Sequence, residues 1–143
     1  MPEAYDNDNI FAKILRGELP SHKVYEDDET LVIMDIMPRG DGHCLVLPKG
    51  AARNLLDAGD GIVEAVARTT AKMARTVVKA FGADGVTVQQ FNEPAGGQVV
   101  FHLHVHVIPR FEGVSLRPHT GSMADQAVLA EHAEKIRSAL AES

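Results

Sequence analysis

The sequence predicts an α+β domain, and three observations carry that expectation. Short β-leaning runs stand beside one another as antiparallel neighbours, without the regular strand-helix alternation of a parallel sheet. One long stretch, residues 62 to 81, repeats apolar side chains at steps of three or four, the period of a helix with one buried face. The chain has 143 residues, a length that fits one domain with a core of its own.

Ile10, Phe11, Ile14 and Leu15 recur at helical spacing before Gly17 and Pro20, which end what reads as a short amphipathic helix. Residues 22–26 and 30–35 form a predicted hairpin around the acidic Asp27-Asp28-Glu29. Residues 38–42, with one proline and two glycines, break the chain before a further strand over 43–47, which Pro48 and Gly50 end. In the long helix Ile62, Val66, Met73, Val77 and Phe81 share a face, and Gly82 stops it. Predicted strands over 86–91 and 101–108 flank the loop Asn92-Glu93-Pro94-Ala95-Gly96-Gly97-Gln98. A last helix over 125–140 presents Leu129, Ala133, Ile136 and Leu140 on one side, and no repeat or low-complexity tract divides the domain.

Composition narrows the function. With 45% hydrophobic and 24% charged residues the chain is an ordinary globular one. A formal net charge of −6 without a Lys/Arg cluster speaks against a nucleic acid polymer as partner, while a small phosphorylated ligand remains compatible, because backbone amides bind phosphate without net positive charge. Cys44 is the single cysteine, so no intrachain disulfide and no cysteine-based metal cluster is expected. The acidic start Met1-Pro2-Glu3-Ala4-Tyr5-Asp6 and the lack of any run of ~18 apolar residues lead to the expectation of a cytoplasmic protein without membrane attachment.

Three of the seven histidines fall within five residues, His102-Leu103-His104-Val105-His106. On a strand, alternate side chains face opposite ways, which puts the imidazoles on one face and Leu103, Val105 and Val107 in the core. Same-face Cα atoms lie ~6.6 Å apart, so neighbouring imidazoles can share a hydrogen bond or one ligand atom. A merely solvent-facing strand would be served as well by Thr, Ser or Lys. Three successive histidines instead suit nucleophilic attack, proton transfer or metal ligation. Ligation is the chemical rival, with His43 as a third zinc ligand, but three imidazoles on a straight strand match a tetrahedron poorly and no Cys, Asp or Glu lies inside the cluster. Nucleophilic catalysis has a central imidazole, flanking imidazoles to fix its tautomer, and a glycine loop just upstream. There the N–H groups of Gly96 and Gly97 and the side chains of Gln98 and Asn92 are expected to meet a phosphate.

His102-Leu103-His104-Val105-His106-Val107-Ile108 resembles the signature of the histidine triad (HIT) family, His-x-His-x-His followed by two apolar residues. The likeness extends through Ile10-Phe11-Ala12-Lys13-Ile14, Tyr25-Glu26-Asp27-Asp28, Asp35-Ile36, Gly42-His43-Cys44-Leu45-Val46-Leu47-Pro48-Lys49 and Gly97-Gln98. It implies a five-stranded antiparallel sheet with a short N-terminal helix, a long central helix and a C-terminal helix. It also implies a homodimer paired through the long helix and a strand, and a domain core over about 8–112 with a C-terminal extension over 113–143. The implied activity is hydrolysis at the α-phosphate of a purine nucleotide conjugate (an AMP or GMP phosphoramidate, adenylate or dinucleoside polyphosphate) through a covalent nucleotidyl-histidine on His104.

By the same resemblance His106 and His43 contact the phosphate and assist proton movement, and the His102 carbonyl orients the ring of His104. Asp35 binds the ribose, and Ile10, Phe11, Ile14 and Ile36 line the purine pocket, an apolar slot suited to a flat base. His106 stands where the transferase branch has glutamine, which favours a hydrolase. Two departures are informative. The zinc-binding Cys-x-x-Cys of many bacterial Hint-like relatives is replaced by Asn9-Ile10-Phe11-Ala12, and a further ligand position holds Ala51, so neither that metal nor any other cofactor is expected. Val99 stands where phosphoramidases often have a phosphate-contacting serine, which leaves open a binding or adaptor module in which turnover is incidental, beside the zinc-dependent hydrolase that histidine density alone suggests.

Overall fold

The structure, a computed structural model, describes residues 4–118 and 123–142; Met1, Pro2 and Glu3, part of the acidic start noted above, lie outside them. In chain order the elements are α1 (Ile10–Leu15), β1 (Lys23–Glu26), β2 (Thr30–Met34), β3 (Cys44–Pro48), α2 (Asp60–Phe81), β4 (Gly85–Gln89), a 3₁₀ turn (Pro94–Gly96), β5 (Val105–Arg110) and α3 (Gln126–Ala141). One five-stranded sheet runs β1-β2-β3-β5-β4, with every neighbouring pair antiparallel. This is the α+β architecture the sequence implied.

Local chemistry sets the boundaries. The Asn9 side chain caps α1 by accepting the Ala12 N–H at 2.9 Å. In the β1–β2 hairpin, Asp27 Oδ1 accepts the N–H groups of Glu29 and Thr30 at 2.8 and 2.7 Å, so an acidic triplet closes into a tight turn. Gly82 ends α2 in the left-handed region at φ 61°. The buried hydroxyls of Thr30 and Thr69 meet at 2.8 Å and tie the hairpin to α2.

Every residue of β2 and β3 is buried, because the sheet is covered on both faces there. Val32, Met34, Cys44, Val46, Val105 and Val107 pack with Val66, Met73 and Val77 of α2 and Leu129, Ala133 and Ile136 of α3. The alternate residues Leu31, Ile33, Leu45 and Leu47 face the other way, against Phe11 and Ile14 of α1. Two helices, α2 and α3, thus lie on one face of the sheet, while the lone short α1 leaves the opposite face partly open. That opening is the candidate site.

The structure corrects one element. The expected strand over 101–108 begins only at Val105, and residues 101–104 leave the sheet, with the Leu103 N–H donating to Ala52 O at 2.8 Å instead of to a strand neighbour. The histidines therefore do not stand in one row. His102 is turned inward at 1% exposure, while His104 and His106 remain neighbours with ring centroids 5.1 Å apart.

Candidate active site

A cavity of about 560 Å³ opens between α1 and the sheet. Its apolar wall includes Ile10, Phe11, Ile14, Ile33, Ile36 and Leu45, and its polar edge holds Asp35, His104 and His106. The four residues expected to form a purine slot, Ile10, Phe11, Ile14 and Ile36, all lie on this wall, and Phe11 presents its ring edge-on to His104 at 4.8 Å between centroids.

The hydrogen bonds assign the protonation of each imidazole. His102 Nε2 lies 2.8 Å from Pro48 O, and a carbonyl only accepts, so Nε2 carries the proton and Nδ1 accepts from the Tyr5 hydroxyl at 2.6 Å. His104 Nδ1 lies 2.7 Å from His102 O and is the protonated nitrogen by the same logic. Its Nε2 therefore holds a lone pair, on a ring that borders the cavity. Burial pushes the imidazoles of both His104 and His102 below their ordinary value, against the smaller opposing pull of their carbonyl partners. His104 is thus a neutral imidazole with its lone pair on Nε2, in a ring that lines the cavity.

A second chain of bonds runs along the other edge. The Arg39 N–H donates to His43 Nδ1 at 3.0 Å, which places the His43 proton on Nε2, 2.9 Å from His106 Nδ1 and 3.4 Å from Asp35 Oδ2. His106 Nδ1 then accepts, and its own proton sits on Nε2. Asp35 Oδ1 accepts the Met37 N–H at 2.8 Å, which fixes the carboxylate at the cavity rim.

Asp35, His43 and His106 offer ligand atoms within 4.8 Å of one another, the one group among the described residues with the composition of a metal site. The donor chemistry does not fit it: with Nδ1 already accepting from Arg39, His43 presents a proton and not a lone pair to the cluster. Cys44 adds nothing to the chemistry, since full burial pushes its thiol up to about 12.

The glycine loop is built differently from its expected form. The N–H groups of Gly96 and Gly97 donate to Glu93 O and Pro94 O at 2.9 and 3.0 Å, and that of Gln98 to Glu93 O at 3.1 Å, so none of the three is left for a phosphate. The Val99 N–H has no partner among the described residues, and Val99, 75% exposed, lines the cavity beside Gly97. Gln98 and Asn92 lie off the cavity. Gln98 Nε2 donates to Arg53 O and Val100 O at 2.7 and 3.0 Å while its Oε1 accepts from Asn54 Nδ2 and Glu93 N at 3.0 and 2.8 Å. Asn92 Oδ1 accepts from Leu55 N and Gln90 Nε2, both at 2.9 Å. Gln98, with all four of its bonds made inside the protein, frames the loop, while half-buried Asn92 also donates to Gln90 Oε1 at 2.9 Å and keeps a second Nδ2 hydrogen.

Glu93 holds that frame. It adopts φ 66°, a conformation that strains a residue with a Cβ by roughly 1–3 kcal/mol. Its carboxylate receives Arg53 Nε at 2.7 Å, Arg53 Nη2 at 3.0 Å and Asn54 Nδ2 at 2.6 Å, and the hydrogen bonds from Arg53 keep the Glu93 carboxyl below its usual range. Arg53 also lies 4.1 Å over the Phe101 ring. At Gly97, φ is +96° and a Cβ would sit 3.3 Å from Phe91, so glycine is needed both for conformation and for the ring that flanks His106.

Sequence reading missed Tyr5, Arg39, Arg53 and Phe91. Only Phe91 had a usable signal: it follows Gln89 by two positions at the end of β4, and Gln89 pairs with His106. Arg39 acts through a backbone N–H, which side-chain identity does not reveal.

Comparison with known proteins agrees with this geometry. The HIT domain family model matches residues 16–113. The adenylylsulfatase HINT3 of Arabidopsis thaliana is 39% identical over 127 residues, covering 85% of this chain, which spans only 64% of that relative's length. Among solved structures, a Hit-like protein of Bartonella henselae, described as involved in cell-cycle regulation and holding an unknown ligand, superposes with a TM-score of 0.89 at 52% identity over 95% of this chain and 99% of its own. A zinc-bound histidine triad family protein of Mycobacterium smegmatis gives 0.85 at 33% identity over 94% of each chain. With the family match covering most of the chain and the triad set beside a cavity, the protein belongs to the HIT domain family.

Proposed function

We propose that the protein hydrolyses purine nucleotide conjugates at the α-phosphate, with His104 as the attacking group. The observation that carries this reading is the state of His104: neutral, held by Nδ1 on a backbone carbonyl, with its Nε2 lone pair in a cavity that has an apolar slot on one side and a carboxylate on the other. The base fits among Ile10, Phe11, Ile14 and Ile36, and Asp35 accepts the ribose hydroxyls. His104 Nε2 forms a bond to phosphorus as the bond to the leaving group breaks, and the departing electron pair takes a proton from the His106 and His43 pair. Water then attacks phosphorus, giving a proton back to the His106 and His43 pair, as the bond to His104 Nε2 breaks and its lone pair returns. The Val99 N–H supplies an amide donor to the phosphate whatever side chain stands at that position. The name of the HINT3 relative, an adenylylsulfatase, points to the same class of bond.

The experiment is to incubate the pure protein with an adenosine phosphoramidate, adenosine phosphosulfate and a diadenosine polyphosphate, quench early, and locate the nucleotidyl adduct by mass spectrometry. An adduct on His104, absent from His104→Ala together with turnover, is the expected result. Failure to cleave all three substrates overturns the reading. The cluster of Asp35, His43 and His106 gives one rival, a zinc-dependent hydrolase, which requires His43 to give up its Nε2 proton. Activity undiminished by chelator in metal-free protein eliminates it.

Three coarser expectations belong to the same reading. The chain forms one HIT domain with its core at about 8–112 and an extension beyond. It acts as a homodimer through α2 and β4, a sheet edge on which Val88 is 48% exposed. It works in the cytoplasm, in keeping with the fact that no helix among the described residues is long and apolar enough to cross a membrane. Sedimentation at several concentrations tests the dimer.

A further inference from the structure

The family match ends at residue 113, yet the chain beyond it reaches back to the catalytic edge of the cavity. Residues 35–43 form the loop that carries Asp35, Ile36, Met37 and Arg39 along the cavity and ends in His43. From the C-terminal segment the Arg117 N–H donates to Arg39 O at 2.7 Å, Arg39 Nε returns a bond to Arg117 O at 3.0 Å, and the Arg117 guanidinium pairs with Asp41. Further along, the Ala124 N–H donates to Ile36 O at 2.9 Å. Ala124 stands just before α3, which buries Leu129, Ala133 and Ile136 against the sheet and α2 and whose Arg137 Nη1 donates to Lys23 O at 2.7 Å.

We propose that this C-terminal segment is a strap whose attachment at Arg117 and Ala124 sets the direction of the His43–His106 hydrogen bond. The argument turns on the Arg39 N–H. As long as it is held on His43 Nδ1, the protons sit on His43 Nε2 and His106 Nε2, and His106 is a donor toward the substrate. If the loop shifts so that this amide withdraws, His43 gains the freedom to carry its proton on Nδ1 and to accept from His106 Nδ1–H, and His106 Nε2 becomes a lone pair. The same two rings then offer the substrate an acceptor where a donor is needed. A backbone loop bonded at two carbonyls by an anchored segment keeps the first arrangement; Asp35 Oδ2, 3.4 Å from His43 Nε2, supports it from within. Arg117 and Ala124 are thus positioning residues that act through Arg39.

The inference rests on the proposed hydrolysis for its kinetic arm but has a readout of its own. In protein with ¹⁵N-labelled histidine, long-range ¹⁵N–¹H correlation spectra should show both His43 and His106 as Nε2–H tautomers. Arg117→Pro deletes the strap's N–H donor outside the cavity. It should leave the unfolding transition cooperative, give mixed tautomers at His43 and His106, and lower kcat on the order of tenfold, with KM changed by less than threefold. Asp41→Ala, which removes only the ion pair, should move the same signals less and serves if the proline variant does not fold. Unchanged tautomers in Arg117→Pro or Asp41→Ala overturn the strap, whether or not the melting temperature falls. Altered tautomers in a protein that cleaves no adenylylated substrate uphold the strap and overturn the hydrolase reading instead.

Discussion

Replacing Gln98 separates a residue that frames the phosphate loop from one that binds the ligand. The side chain is 4% exposed and makes four hydrogen bonds, two donated to the Arg53 and Val100 carbonyls and two accepted from Asn54 and the Glu93 N–H. At about 1 kcal/mol for each bond, Gln98→Ala would lose about 4 kcal/mol as a ceiling, and water entering the space lowers this to roughly 2–4 kcal/mol. For a domain of this size that is a fall in Tm of roughly 6–15 °C. Gln98→Glu keeps the volume and one oxygen but turns a carboxylate on two carbonyls, so at neutral pH it should be at least as unstable, recovering part of the loss as acid protonates the new group. Urea unfolding followed by circular dichroism gives the free energies, and turnover of an adenosine phosphoramidate gives the catalytic arm, in which kcat should fall more than KM rises because the Val99 amide is displaced. If Gln98→Ala keeps its stability within about 1 kcal/mol and shows only a raised KM, the framing argument fails and a direct ligand contact is the better account.

Acid conditions probe the buried imidazoles. Because burial depresses His104, it stays neutral at pH values that protonate an ordinary histidine, so the acid limb of kcat/KM that reports it should have its midpoint below 6.5. Stability should fall as the pH drops through 6.5, since the unfolded chain takes protons there that folded His102 and His104 refuse, and should level off below their folded values; chemical denaturation at stepped pH measures it. At Gly42, φ is +82° and a Cβ would meet the Phe81 ring at 2.5 Å, so Gly42→Ala should destabilise by more than the ~1–2 kcal/mol of the left-handed backbone alone, and a loss below 1 kcal/mol by calorimetry would contradict that contact.

The apolar pattern was enough to place the elements. The three- and four-residue steps along α2, the stop at Gly82 and the β-leaning runs of β2 and β3 are local signals, and the structure realises them within a residue or two at most ends. Ile10, Phe11, Ile14 and Ile36 come from the family resemblance, and the helical spacing of the first three already puts them on one short helix; the structure sets all four on the cavity wall.

The histidine strand shows where such reasoning stops. Composition and spacing determined that imidazole chemistry gathers at residues 102–106, but alternation alone made them one row of equals. Tertiary structure set the hydrogen-bond partners that distinguish the rings: distant Pro48 and Tyr5 for His102, the His102 carbonyl on a bent backbone for His104, and distant His43, itself bonded to the Arg39 N–H, for His106. The same holds for Gln98 and Asn92, whose amides suit a phosphate as well as they suit a carbonyl until the fold closes around them. A sequence fixes which groups a chain owns; which lone pair stays open depends on hydrogen-bond partners that only the packed molecule brings within 3 Å.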